Sequence, residues 1–394
     1  MRAAVIHSSL NFLGGASKVC LSFIRALSKA GCDITLFTVD RTDWDLLRKV
    51  FGDFYDLNFK ERFLFAGFPR VLHGTMFRKL IIAMFYLLEV LVIRFFGDFD
   101  LVLVTGGELI DSFGDIVYVN AIPIRFAHSF SDVRLGKSTI WNCYSKLYDI
   151  LLRFIGKIDS KGILLTNSSF LRKIIKKFLG RDSVVIHPPV DVEKLMNSND
   201  YNEGERQNLV VTISRLHPGK SLEVILKIAK LVDEAKFLII GSISHGSEGI
   251  VNDLKSSIDM MGLKDRVDLL INKPFKNLIE ALYRAKVLLH AQTSEAFGMV
   301  VVEAMAAGCI PVVPLSGGPW IDILGCSQGL YGFSYRNVNE AAEIIKKILR
   351  DENLRCEVAA RARARALNFD KSVFEKKVLE VVNRFIEGKR GGGD

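Results

Sequence analysis

The sequence predicts an α/β protein built from two doubly wound, Rossmann-like domains in tandem, and three observations carry that prediction. Short apolar runs of strand length alternate with stretches of helical periodicity, the pattern of parallel sheets covered by helices. The alternation is interrupted once, at the polar and aperiodic stretch 197–205, and then restarts. The length, 394 residues, is too great for one ordinary core and suits two.

The elements follow in order. Residues 3–7 read as a buried strand and lead into the loop 8–15, which ends in Gly14-Gly15. A helix is predicted over 16–29, where Val19, Phe23, Ala26 and Leu27 recur at helical spacing. Gly31 stops it, and 34–39 is the next strand. Further strands are expected at 101–105, 116–120 and 163–166, closing a first domain at 1–195. After the polar stretch come strands at 209–213, 236–240, 267–270, 287–291 and 310–314. Helices at 221–232, 249–261, 277–285 and 299–307 alternate with them, and long helices run from 338 to 386. The second domain is therefore placed at 205–366, with a closing helix at 367–388 and a disordered tail at 389–394.

Composition narrows the class. The chain is 49% hydrophobic and 25% charged, which excludes disorder over any large part. Its six cysteines lie far apart, with no C-x-x-C pair and no histidine at zinc-ligand spacing, so neither a disulfide scaffold nor a structural metal is expected. The net charge is +9, and residues 1–200 carry 26 basic against 20 acidic side chains. That excess suits phosphorylated ligands or an anionic membrane surface and is too dilute for a nucleic-acid footprint. The N-terminus runs directly into a strand without a small-residue cleavage site, so no secretory signal is expected.

Hydrophobicity is unevenly distributed. Mean hydropathy is +0.23, and 11 of the 27 phenylalanines fall between Phe51 and Phe99. The run 80–96 is 17 residues long and contains Glu89 and Arg94, whereas a membrane span needs about 20 mostly apolar residues. Segment 60–96 is read either as a membrane-associating element lying in the interface, with Arg70, Arg78 and Lys79 at the headgroups, or as a buried helix of the first domain.

Two motifs carry chemistry, and both follow strands, where open α/β sheets bind ligands. The first is E-x-F-G-x-x-x-x-E, Glu295 to Glu303, with Phe297, Gly298 and Met299 at a turn into a helix. Backbone N–H groups at such a helix start can hold phosphate. Glu303, a turn further on, suits the vicinal hydroxyls of a ribose, and Glu295 suits those of a sugar. The second is Arg215 to Lys220, which places a cationic fork and a point charge on one loop, suited to a diphosphate. Gly219-Lys220-Ser221 nearly completes a P-loop, but the first glycine is replaced by Ser214 and Pro218 removes an amide from the cradle. The P-loop match is therefore rejected as the reading of this loop. The two D-x-D strings, Asp43-Trp44-Asp45 and Asp98-Phe99-Asp100, are read as structural and not as a metal site.

With these residues the chain resembles retaining nucleotide-sugar glycosyltransferases of the GT-B fold, family 4, whose signature is E-x7-E with R-x4-K upstream. It is most similar to the eukaryotic α-1,2-mannosyltransferases that elongate dolichol-linked oligosaccharide. Further similar stretches are 118–120, 166–170, 187–191 and 316–323. The resemblance implies that the first domain binds acceptor and the second binds nucleotide sugar across a central cleft. It implies that Arg215 and Lys220 neutralise the diphosphate, Glu303 holds the ribose and Glu295 meets the donor sugar. Gly14 and Gly15 would face the donor phosphates, and the last helix would cross back onto the first domain. No cofactor or metal is implied, since fixed cations supply the leaving-group charge. Many relatives carry a histidine where this chain has Asn120; Asn120 and His128 are the acceptor-side candidates, although His128 reads more readily as a surface or satisfied histidine. The implied reaction moves a hexose, foremost mannose from GDP-mannose, to a lipid-linked saccharide by a cytoplasmic protein peripheral to the inner face of a membrane. The alternatives are a UDP-sugar donor (N-acetylglucosamine or glucose) with another glycolipid or soluble acceptor and, from a different class, a P-loop NTPase or a catalytically silent GT-B binding module.

Overall fold

The computed structural model describes residues 1–51, 57–66, 88, 91–93, 95, 97–105, 114–122, 150, 162–197, 206–217, 220–243 and 248–391. They form two compact units. One comprises residues 1–131, 135–189 and 371–394, the other 132–134 and 190–370.

The first unit is a parallel sheet of seven strands: β1 (Arg2–Ile6), β2 (Asp33–Asp40), β3 (Lys60–Phe65), β4 (Leu101–Val104), β5 (Ile116–Val119), β6 (Ile163–Thr166) and β7 (Val184–Val185), in the order 3-2-1-4-5-6-7. Alternate side chains along each strand enter opposite cores, as in any sheet covered on both faces. Ala3, Val5, Leu36, Leu103, Ile116 and Tyr118 face one; Ala4, Ile6, Phe37, Val104, Val117 and Val119 face the other. The first face is covered by α1 (Gly15–Lys29) and by the last helix, Lys371–Gly391, whose Phe374, Val378, Val381 and Val382 are buried there. Phe374 meets Phe23 edge-on at 5.0 Å and Tyr118 at 6.2 Å. Lys29 holds Glu375 at 2.5 Å. The chain therefore ends within its first unit. Two further helices, α2 (Trp44–Phe51) and α3 (Ser169–Leu179), belong to this unit. Ser168 caps α3 by accepting from Leu171 N–H, and Gly180 stops it in the left-handed conformation at φ +67.

The second unit is a six-stranded parallel sheet: β8 (Gln207–Arg215), β9 (Lys236–Ser242), β10 (Val267–Ile271), β11 (Ala285–Leu289), β12 (Ile310–Pro314) and β13 (Phe333–Tyr335), in the order 10-9-8-11-12-13. Its helices are α4 (Val192–Met196), α5 (Leu222–Leu231), α6 (Glu248–Met260), α7 (Phe275–Arg284), α8 (Met299–Ala306), α9 (Val338–Arg350) and α10 (Glu352–Ala366); the last helix of the chain, in the first unit, is α11. The same two-sided pattern recurs, with Val210, Phe237, Val287 and Val312 opposed to Leu209, Val211, Leu288 and Val313.

Three expectations change. The boundary falls at Val190, not at 195–205, because Val190, Val192 and Leu195 are buried in the second core. Val190 N–H donates to Phe369 O at 3.2 Å, and the Asp370 carboxylate accepts from the Val192 and Glu193 amides, so the first residues of the unit are tied to its last. The apolar segment 60–96 is not one element: Lys60–Phe65 is the edge strand β3, paired in parallel with β2. Residues 67–87 lie outside the described residues, as do His128 and the Pro218-Gly219 pair. Finally, the last helix runs to Gly391, into the tail expected to be disordered from 389; of the polar stretch 197–205 only Asn197, which closes α4, is described.

The D-x-D strings serve the scaffold. Asp43 caps α2 through Leu46 N–H, and Asp98 and Asp100 bind Arg2 at the amino ends of β4 and β1. Among the described residues, no helix is long and apolar enough to cross a membrane.

Candidate functional site

In the second sheet the strand order reverses between β8 and β11, which lie side by side at the centre. The crevice beyond the carboxyl ends of such a strand pair is where open α/β sheets hold ligands. Arg215 is the last residue of β8, and the loop 290–298 follows β11 directly. The fold thus brings the two motifs, far apart in sequence, to one sheet edge.

Lys220 and Glu295 meet there. Lys220 Nζ donates to Glu295 Oε2 at 2.8 Å and also to Gln292 Oε1, with side chains only 18% and 20% exposed. Burial pushes the Glu295 carboxyl up, but the charge and hydrogen bond of Lys220, helped by the charge of Arg215, outweigh it, so the net shift is downward and the group is an anion. Arg215 itself is exposed, close enough for its charge to act on Glu295.

The loop carrying Glu295 is held from behind. Ser316 Oγ donates to Thr293 O, and Gly318 N–H donates to Glu295 O at 2.9 Å. A Cβ at Gly317, which sits at φ +77, would lie 2.7 Å from that same carbonyl, and one at Gly318 would lie 2.1 Å from Ala296 O. Ser316-Gly317-Gly318 is therefore the support on which Glu295 is mounted. Gly298 begins α8 at φ +89, and a Cβ there would stand 3.0 Å from Pro319 Cγ. The amides at the start of α8 carry no side-chain cap, leaving a positive helix end for an anion. Met299 is its first residue, and Glu303 is half-buried a turn further on.

Phe297 differs from its expected place at the ligand. Its ring is 2% exposed and packs against Phe369 at 5.6 Å, so the side chain anchors the loop in the core. Two residues were missed by sequence reasoning. Gln292 shares the Lys220 ammonium, and His290 stands buried at the end of β11 with Nε2 3.9 Å from Glu295 Oε2. A polar signal was present, since a histidine interrupts the apolar run 287–291 just where the strand reaches its carboxyl edge.

The carboxyl edge of the first sheet carries a polar chain of its own. His7 Nδ1 lies 2.9 Å from Thr105 Oγ1, Asn120 Nδ2 donates to Thr105 O at 2.7 Å, and Asn167 Nδ2 donates to Asn120 O at 2.6 Å. The Asn120 amide thus ties the end of β5 to that of β4. Gly14 is the N-cap of α1 with extended backbone, and a Cβ on it would meet nothing nearer than Phe12 O at 3.9 Å. The start of α1 carries no side-chain cap, so its amides can meet an anion.

Burial pushes both His7 and His290 down to about 4. Below the ordinary histidine value of about 6.5 the unfolded chain takes up protons that the folded one refuses, so stability rises with pH between about 4 and 6.5. Each histidine is expected to cost about 3 kcal/mol of stability as pH falls through that window. Urea unfolding at pH 7.5 and 4.5 measures it, and His7→Asn should flatten the dependence.

Residues 193–365 match the family described as Glycosyl transferases group 1. A Dictyostelium discoideum protein named GDP-Man:Man(3)GlcNAc(2)-PP-Dol alpha-1,2-mannosyltransferase is 28% identical over 265 residues, covering 64% of this chain and 52% of that one. The Homo sapiens protein of the same name is 29% identical over 258 residues, covering 61% and 52%. The chain spans about half the length of the curated relatives it matches. Among solved structures, Anabaena HepE in complex with UDP and glucose superposes with a TM-score of 0.71 at 18% identity, covering 98% of this chain and 100% of that one. That likeness is one of fold, and it agrees with the pair of Rossmann-like units.

Proposed function

We infer that the chain is a member of glycosyl transferases group 1 that transfers a hexose from a nucleotide sugar held by its second unit. The observation that carries this reading is the Lys220–Glu295 pair at the switch between β8 and β11, beside Arg215 and the uncapped start of α8. The family match over 193–365 falls on this unit. The names of the relatives favour mannose from GDP-mannose as the sugar and a lipid-linked oligosaccharide as the acceptor.

Breaking a glycosyl–phosphate bond sends its electron pair to a phosphate oxygen and leaves positive charge on the anomeric carbon. Arg215, Lys220 and the α8 amides answer the first charge, and the Glu295 carboxylate answers the second. With cations already fixed at the diphosphate, no divalent metal is required. The acceptor hydroxyl forms the new bond on the face the leaving group departs from, giving its proton to the released nucleoside diphosphate, so the anomeric configuration is retained. Glu303 is assigned to the ribose, and the uncapped helix start at Gly14 and Gly15 to phosphate contact. Asn120 is assigned to the acceptor side; its position at the carboxyl edge of the first sheet supports that assignment.

A panel of sugar nucleotides in EDTA, with and without a lipid-phosphate-linked saccharide, tests the reading through nucleoside diphosphate release. Release from GDP-mannose that rises with acceptor supports it; activity abolished by EDTA, or release from ATP alone, contradicts it.

The acceptor's lipid argues for peripheral binding to an anionic membrane. Support comes from β3, an edge strand that exposes Phe63 and Leu64 between Lys60, Arg62 and Arg41, the last lying 6.0 Å over the Phe63 ring. Phe63→Asp is expected to reduce cosedimentation with anionic vesicles roughly tenfold without changing turnover of a soluble acceptor analogue.

A further inference from the structure

Among the described residues of the second unit, two buried polar side-chain atoms have no hydrogen-bond partner, Glu234 Oε1 and His290 Nε2, and the second stands beside the reacting residues. His290 Nε2 is shielded from solvent, its side chain is 6% exposed, and it lies 3.9 Å from Glu295 Oε2. Buried donors are ordinarily satisfied, so an orphan at this place calls for a second state of the site in which it is used. The backbone that carries the ring is fixed. The Tyr335 hydroxyl donates to His290 O at 2.9 Å, and His290 N–H donates to Val312 O at 2.9 Å. Facing Glu295 are Lys220 at 2.8 Å, His290, and the charge of Arg215.

The carboxylate and the ammonium mask each other. A diphosphate competes for the same ammonium, and once Lys220 turns to it, Glu295 Oε2 loses that hydrogen bond while remaining largely buried. An imidazole N–H about 1 Å beyond hydrogen-bond distance is then the nearest replacement. Because it is neutral, it can hold the carboxylate in place without cancelling its charge. Burial favours that neutral form, holding the ring down at about 4.

We propose that His290 is a positioning residue for Glu295, its Nε2–H donating to the Glu295 carboxylate when the donor's diphosphate draws Lys220 away. The proposal rests on the function inferred above, in which Lys220 serves the diphosphate and Glu295 the sugar. Donor binding on this account uncovers the Glu295 charge where positive charge develops on the sugar, and His290 keeps the exposed carboxylate aimed.

The test compares His290→Leu, His290→Gln and His290→Asn for kcat, donor KM and thermal midpoint. Leucine fills the space without a donor. Glutamine places an N–H near Nε2, and the shorter asparagine falls short of the carboxylate. A lost hydrogen bond to a charged group predicts a fall in kcat of roughly tenfold to a hundredfold for leucine and asparagine, with donor KM nearly unchanged. Glutamine should recover kcat to within about threefold of the natural protein, and His290→Leu should add nothing in a Glu295→Gln background. Asparagine gives the removal variant if leucine does not fold. An unchanged kcat in both, or glutamine as poor as leucine with an equally lowered midpoint, overturns the proposal while leaving the glycosyltransferase reading intact. A natural protein that releases no nucleoside diphosphate from any donor overturns that reading instead, and the proposal with it.

Discussion

Replacing Glu295 by glutamine is expected to slow sugar transfer by a factor on the order of a thousand while leaving nucleoside diphosphate binding intact or tighter. The direction of the second effect follows from the ion pair. Lys220 Nζ is held at 2.8 Å by the carboxylate it would leave for a phosphate, and a neutral amide holds it less firmly. The amide keeps the shape of the side chain and can still accept from Lys220, so the thermal midpoint should barely move. Transfer rate, calorimetric titration with guanosine diphosphate and a melting curve measure the three quantities. Loss of folding would make Glu295 a structural residue, and an unchanged rate would remove it from the chemistry.

Lys220→Ala is expected to lower kcat/KM by roughly a hundredfold to a thousandfold, and here affinity for nucleoside diphosphate falls too. Two causes add. The diphosphate loses a fixed cation, and Glu295 loses the charge that outweighs its burial, so its carboxyl pKa rises and its anionic form recedes. The rate of the variant should therefore rise with pH across a range where the natural protein is flat. Arg215→Ala should have the smaller effect, because that guanidinium is exposed and screened by salt. A pH–rate profile of each variant separates the two contributions.

Much of the site could be read from the sequence because its signals are local. The E-x7-E spacing places one carboxylate in the loop and one on α8, and Gly298 occupies a left-handed position that few other residues tolerate. The parallel sheets were legible from apolar runs buried on both faces. What was not legible depends on contacts distant in sequence. Lys220 and Glu295 pair across 75 positions, and the support under Glu295 comes from Ser316, Gly317 and Gly318 on the next strand's loop. Phe297 sits inside the motif yet turns to the core, a choice made by Phe369 far along the chain. The boundary was misplaced for a related reason. Polarity marked 197–205, whereas burial of Val190, Val192 and Leu195 against the second core decides where that unit begins. Segment 60–96 is apolar enough to suggest one membrane-associating or buried element, but pairing with β2 makes its first residues, 60–65, an edge strand.

The most direct test of the account is a crystal structure of the protein with guanosine diphosphate. The diphosphate should lie within about 3 Å of Lys220 Nζ, near Arg215 and the α8 amides, with the Lys220–Glu295 hydrogen bond broken. Diphosphate bound elsewhere, with that pair still closed at 2.8 Å, would contradict the account.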